Sequence, residues 1–244
     1  MNVFITGISS GVGRDLARQS LAAGHEVWGV ARRGDELASF AAEMATERLR
    51  TTVCDVQDHD ACRVLVQTMR IAGWIPDIVV LNAGVYVQDI QHSFEFSAHQ
   101  TSFAVNLDGA LLWVAEFLPD FLARGSGTFI AISSTAAFRP SGSASYSASK
   151  AALSMAFRQF ALSFASAGIT FSTVHFGPID TRLWPGRRLF LVPSPERAAG
   201  FVMRVFDRRG GSFFYPRFTT TVLRIGAMVP DAVFRWLSSR ILRK

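Results

Sequence analysis

Two residue types are nearly missing from this chain of 244 residues: cysteine, present only as Cys54 and Cys62, and lysine, present only as Lys150 and Lys244 against 23 arginines. Two cysteines in so long a chain exclude a disulfide-built scaffold and point to a reducing, cytoplasmic setting. Charged residues make up only 18% of the chain and hydrophobic ones 49%, which excludes a disordered polymer. Long apolar runs are also missing, since none approaches the roughly 20 residues of a membrane-spanning helix. At the start, Asn2-Val3-Phe4-Ile5-Thr6 reads as a strand, where a secretory leader would need a basic segment and an apolar stretch. The five histidines, His25, His59, His92, His99 and His175, have no cysteine or carboxylate partners at metal-ligand spacing, so no metal site is expected. Cys54 and Cys62 read as buried free thiols.

What is there is sequence of α/β type. Short apolar runs at Val3–Thr6, Glu26–Val30, Thr51–Cys54, Ile78–Leu81, Thr128–Ile132, Thr170–His175 and Ser212–Tyr215 read as strands. Helical patterns lie between them, at Val12–Ala23, Asp35–Arg48, Asp60–Ala72, Ser97–Arg124, Ser145–Ala167 and Pro195–Arg208. Such alternation predicts one Rossmann-like, doubly wound domain with a parallel sheet of about seven strands, covered on both faces. Ligands of such sheets sit at the carboxyl ends of the strands.

The first strand-to-helix junction reads Thr6-Gly7-Ile8-Ser9-Ser10-Gly11-Val12-Gly13. Glycines there permit a tight turn and let backbone N–H groups approach a pyrophosphate at the positive end of a helix. The spacing G-x-x-x-G-x-G differs from the commoner G-x-G-x-x-G, and the position in the chain carries the reading. A carboxylate near the end of the second strand would select NAD by holding the ribose 2′-hydroxyl. This chain has Arg32 and Arg33 there instead, and the planar donor fork of arginine suits a 2′-phosphate. The expected cofactor is therefore NADP(H).

Further on, Tyr146-Ser147-Ala148-Ser149-Lys150 opens a helix. Residues four apart share a helix face, so the phenol and the ammonium point into one cleft, where a cation favours the phenolate. These residues resemble the short-chain dehydrogenase/reductase family, along roughly residues 1–215. Asp55-Val56 is similar to a dipeptide that the family places near the adenine. Asn82-Ala83-Gly84 resembles the end of its N-N-A-G motif, with Leu81 in place of the first Asn. Asn106 sits where the family has an active-site Asn, and Ser134 matches its active-site Ser, with Ser133 as the alternative because the spacing to Tyr146 is one residue short. Gly177-Pro178-Ile179-Asp180-Thr181 resembles the loop that packs on the nicotinamide, through Pro178, Ile179 and Thr181.

The resemblance implies hydride transfer between nicotinamide and a carbonyl carbon. In that scheme Tyr146 is the general acid, Lys150 lowers its pKa and holds the nicotinamide ribose, Ser134 binds the substrate oxygen, and Asn106 holds a water behind Lys150. It also implies a homodimer or homotetramer built on the helices at 97–124 and 145–167, with Phe157, Phe160 and Phe164 suited to that face. The expected substrate is a small-molecule carbonyl or alcohol. The alternatives are a 3-oxoacyl-thioester reductase acting on a carrier protein and a non-catalytic NADP(H)-binding regulator. Retention of Asn106, Ser134, Tyr146 and Lys150 argues against the regulator.

Charge is divided along the chain. Residues 1–181 carry 12 basic and 16 acidic side chains, whereas residues 182–244 carry 13 basic and 3 acidic, a net of +10. Residues 182–194 read as a substrate lid, whose apolar members suit an apolar substrate and whose arginines suit a carboxylate or a phosphate-bearing carrier. Residues 217–244 read as a basic amphipathic helical extension, either in peripheral contact with an anionic membrane or packed on the protein itself. It holds no nucleic-acid-binding motif, so no nucleic acid partner is expected.

Overall fold

The computed structural model describes residues 1–90, 93–140, 142–183, 192–227, 229–230 and 232–233. Seven parallel strands form one sheet in the order β3-β2-β1-β4-β5-β6-β7. They are β1 (Asn2–Thr6), β2 (Glu26–Ala31), β3 (Leu49–Val53), β4 (Ile78–Leu81), β5 (Gly127–Ser134), β6 (Ile169–Phe176) and β7 (Gly211–Tyr215). Between them run helices α1 (Gly11–Ala22), α2 (Gly34–Met44), α3 (His59–Ile71), α4 (Phe96–Phe103), α5 (Gly109–Arg124), α6 (Ala144–Ser163) and α7 (Pro195–Met203), and α8 (Arg217–Ala227) follows β7. All seven expected strands are present. The order reverses between β1 and β4, and a crevice opens there at the carboxyl ends of the strands.

The alternation of side chains along each strand builds two cores. Val3 and Ile5 of β1 face Leu16 of α1, Phe40 of α2 and Val202 of α7. Phe4 faces the other way, with Trp113 and Phe117 of α5, Met69 of α3 and Phe157 of α6. Burying large aromatics on both faces is what the near-continuous apolar strands require.

Several expectations change at the level of elements, and the helix expected over Pro195–Arg208 ends at Met203. The helix expected over Asp35–Arg48 stops at Met44, because Ala45 turns left-handed (φ 43°). The helix expected over Ser97–Arg124 is broken by a wider π-type turn at Ala104–Asp108. The aromatic trio of α6 faces inward: Phe157, Phe160 and Phe164 all pack on Phe171 of β6. The trio serves the core beneath α6, with Phe157 buried and Phe160 and Phe164 half-buried. The outward side of α6 instead carries Met155 and Leu162. Of the expected lid, Trp184–Leu191 lies outside the described residues, and so do residues 234–244 of the C-terminal extension.

Candidate active site

A cavity of about 730 Å³ occupies the crevice. Its floor is the turn after β1. Gly7 and Gly11 hold left-handed backbone there (φ 78° and 59°), and a Cβ on Gly7 would press within 3.0 Å of Ala83 and Asn82. Gly13 packs harder: a Cβ would lie 2.3 Å from the Gly7 carbonyl oxygen and 2.4 Å from Asn82 Nδ2. The first turn of α1 carries no acidic side chain, and its N-cap residue, Ser10, does not cap its own helix. Backbone N–H groups and the helix dipole thus face the cavity without a competing carboxylate, which suits a pyrophosphate.

Asn82 fixes this turn from the neighbouring strand. Its Nδ2 donates to the carbonyls of Thr6 (2.9 Å) and Gly7 (3.2 Å), while Thr6 Oγ1 accepts from the N–H groups of Asn82 and Ala83. Leu81 packs in the core beneath β4, so this bracing does not need an amide at position 81.

At the end of β2, Arg33 lies across the turn. Its Nη2 donates to Ser9 Oγ and Ser10 Oγ, both at 2.7 Å, and its Nη1 pairs with Glu36 at 2.7 Å. Arg32 also lines the cavity and approaches Asp55 at 3.8 Å. The expected members Ser9, Ser10, Val12, Val56, Ala83, Gly84, Pro178, Ile179 and Thr181 line the same cavity. Gly13, Asp55 and Asn106 are not among its lining residues.

Ser134, Tyr146 and Lys150 line the same cavity. Ser134 closes β5, and its Oγ accepts from the Ala136 N–H at 3.1 Å. Ser133 points the other way, with its hydroxyl buried against Ser154 Oγ (2.8 Å) and the Lys150 carbonyl (3.2 Å). Of the two serines, only Ser134 presents its hydroxyl to Tyr146. Burial raises the Tyr146 pKa above that of an ordinary phenol, and a hydrogen bond from Ser134 offsets part of this. Lys150 is not among the groups that shift it. Lys150 Nζ turns to the Ile132 carbonyl at 2.9 Å, and burial brings its own pKa down to about 8. In a dry pocket the cost of charge outweighs the attraction between neighbours.

Asn106 stands in the π-type turn that breaks the long helix. Its Oδ1 accepts from the Val85 N–H (2.8 Å), and its Nδ2 donates to the Val85 carbonyl (3.0 Å) and Ser149 Oγ (3.1 Å). It ties the loop after β4 to α6, and a Cβ on Gly84 would sit 3.2 Å from its oxygen and 3.4 Å from Lys150 Nζ. Such turns recur where a helix must re-aim a functional side chain.

Two contributors escaped the sequence reading. Asp89 is fully buried, and its carboxylate accepts from the N–H groups of Ala144 (3.1 Å) and Ser145 (2.6 Å), anchoring the start of α6. Burial would raise its pKa, but hydrogen bonds from Ser145, Ser143 and Ala144 outweigh that and hold it below the usual carboxylate value. Tyr86 sets its ring edge-on to Tyr146, with centroids 5.2 Å apart. The signal for both was position, since they follow Asn82-Ala83-Gly84 on a loop leaving a strand's carboxyl end.

Residues 1–189 match the family described as short chain dehydrogenase. An oxidoreductase of Mycobacterium tuberculosis is 33% identical over 156 residues, which is 61% of this chain and 61% of that protein. The chain thus spans about three-fifths of that relative's length. A fatty acyl-CoA reductase of Acinetobacter baylyi is 29% identical over 213 residues, covering 84% of this chain and 72% of that one. Among solved structures, a short-chain dehydrogenase from Streptomyces avermitilis superposes with a TM-score of 0.81 at 24% identity, covering 99% of this chain and 97% of that one.

Proposed function

The chain belongs to the short-chain dehydrogenase family, and from that premise we propose that it is an NADP(H)-dependent oxidoreductase interconverting a ketone and a secondary alcohol on an apolar or lipid-like substrate. The observation that carries this reading is the meeting of Ser134, Tyr146 and Lys150 in the same cavity as the glycine turn and Arg33. When bound, the cofactor supplies or accepts the hydride. Gly7–Gly13 hold its pyrophosphate. Arg33, already pinned by Ser9 and Ser10, offers its fork to the 2′-phosphate at little further ordering cost. Asp55, Val56 and the loop from Pro178 to Thr181 close the two ends.

Tyr146 hands its phenolic proton to the substrate oxygen during reduction, and its burial-raised pKa keeps that proton in place near neutrality. Ser134 donates to the same oxygen as charge builds there. Lys150 holds the nicotinamide ribose, with Asn106 bracing the loop beside it. A homodimer or homotetramer would use the outward face of α6, where Met155 and Leu162 are exposed.

A second reading is a 3-oxoacyl-thioester reductase. The likeness to a fatty acyl-CoA reductase favours it, as does Arg182 at the rim, largely exposed and paired with Glu36 at 3.0 Å, where a carrier phosphate would pass. A panel of apolar ketones and 3-oxoacyl thioesters, followed by NADPH consumption, separates the two readings. Tyr146→Phe should lower turnover by about 10³-fold with NADPH affinity almost unchanged. Binding of NADPH without turnover of any carbonyl by the native chain would favour the regulator instead. Arg33→Ala should raise KM for NADPH by about 10- to 100-fold and leave KM for NADH nearly unchanged. An equal loss with both cofactors would sink the phosphate assignment.

The extension from Arg217 onward is proposed to touch an anionic membrane. One side of α8 is fixed to the protein, with Thr220 fully buried and the Arg224 guanidinium over the Phe214 ring at 4.0 Å. Phe218, Val222 and Ile225 are left exposed.

A further inference from the structure

The two cysteines of this cysteine-poor chain lie against each other. Cys54 follows β3, Cys62 is in the first turns of α3, and their sulfurs are 3.5 Å apart. Both thiols also lie near the Asp55 carbonyl, at 3.7 and 3.5 Å. Cys62 is fully buried, whereas Cys54, at 5% exposure, lines the proposed cofactor cavity beside Arg32 and Val56. A disulfide needs sulfurs about 2.0 Å apart, so the pair must close by about 1.5 Å, a distance that rotation of one side chain and a small shift of the loop can cover.

We propose that Cys54 and Cys62 are an oxidation site that closes to an intramolecular disulfide on reaction with hydrogen peroxide, and that closure weakens binding of NADP(H). The second half rests on the reading of the cavity given above. The chemistry has two steps. The Cys54 sulfur attacks one peroxide oxygen, the O–O bond breaks, a sulfenic acid forms, and the departing hydroxide leaves as water with the thiol proton. The Cys62 sulfur then attacks the Cys54 sulfur, the S–O bond breaks as S–S forms, and the second hydroxide leaves as water with the Cys62 proton. The two thiols lose two electrons in all, and one peroxide becomes two waters.

Position assigns the roles, since Cys54 is the sulfur that meets the cavity. A hydrogen bond from Cys62 also holds the Cys54 thiol below its ordinary pKa, outweighing burial and the charges of Asp58 and Asp55. The same bond, with burial, pushes Cys62 up and suits it to the resolving role.

The coupling to the cofactor follows from what Cys54 is attached to. Its N–H donates to the Ala31 carbonyl at 3.0 Å, immediately before Arg32 and Arg33. On its other side Val56 cannot give way, because Gly109 packs so closely that a Cβ there would lie 2.8 Å from the Val56 carbonyl oxygen. Drawing Cys54 toward α3 therefore strains the corner that presents both arginines. By linkage, bound NADP(H) must disfavour the disulfide at equilibrium by the same factor that the disulfide weakens binding.

The test treats the full chain with hydrogen peroxide, with and without NADPH, and reads free thiols, intact mass and NADPH affinity. Expected are the loss of both thiols with a mass lower by two hydrogens, recovery with dithiothreitol, an affinity at least about tenfold weaker when oxidised, and slower oxidation with NADPH present, because the cofactor would cover Cys54 in the cavity. Cys62→Ser should bind NADPH like the native chain when reduced and should accumulate a sulfenic acid on Cys54 that dimedone labels. Survival of both thiols, or cross-linking between chains, overturns the disulfide. Unchanged affinity after closure overturns the coupling. The thiol and mass readings need no cofactor. A reduced chain that binds no dinucleotide would therefore sink the cavity reading and the coupling while leaving the disulfide standing.

Discussion

Lys150 is the side chain through which this site works against its own fold. It is buried, its ammonium donates to the Ile132 carbonyl, and its pKa falls to about 8 from the ordinary 10.5. Below pH 8 the folded and unfolded chains both carry the proton, so the cost of the buried cation is fully present. Between pH 8 and 10.5 the unfolded chain holds more proton than the folded one, and stability rises with pH until the cost is gone. Lys150→Met should therefore abolish turnover yet raise stability near pH 7 by on the order of 1–3 kcal/mol, with a gain that shrinks toward pH 10.5. Thermal melts across that range check it, and a lower Tm at pH 7 would mean that the Ile132 hydrogen bond outweighs burial. The spacing of Tyr146 and Lys150 placed both in one cleft, but it could not show which carbonyl the ammonium meets. The preference for Ser134 over Ser133 came from the family resemblance and not from the strand pattern. Neighbours on a strand face opposite ways, and β5 is buried on both faces, so neither serine is marked as the outward one.

At the scale of elements, the strands were legible because apolar runs bounded by polar turns have few other places to go. Helix ends were less so. Nothing in Met44-Ala45 announces a left-handed residue, and the π-type turn at Ala104–Asp108 hides within an unbroken apolar pattern. The inward turn of Phe157, Phe160 and Phe164 was missed because a helix that covers a sheet and one that covers a partner show the same period. The glycine turn was legible as a motif, but the close packing that makes Gly13 special needed coordinates. Gly13 meets the Gly7 carbonyl and the Asn82 amide, and neither is free to move, since Asn82 also holds the Thr6 carbonyl. Gly13→Ala should cost about 1–3 kcal/mol of stability and weaken NADPH binding more than it changes kcat. Urea titration and cofactor binding check this, and a variant with native stability would mean that α1 can slide away from the turn.

Over the whole molecule, the charge of +6 is a difference between two parts of opposite sign. The catalytic body up to residue 181 is net negative, and the quarter beyond it carries +10. A surface of anionic lipid therefore attracts the cations of residues 182–244 more than the net negative remainder of the chain. On α8, Arg217 adjoins the exposed Phe218, and Val222 and Ile225 continue that face, the combination that seats a helix at an interface. The full chain should co-sediment with phosphatidylserine-rich vesicles and much less with phosphatidylcholine alone, and the binding should weaken in salt as the Debye length shortens. Replacing Phe218, Val222 and Ile225 together by serine removes the apolar contact without touching the charge, so it should reduce sedimentation at every salt concentration. Replacing Arg217 and Arg224 by glutamine should reduce it chiefly at low salt. Equal sedimentation with both lipids, or binding untouched by the serine variant, would mean that this helix face meets protein rather than membrane.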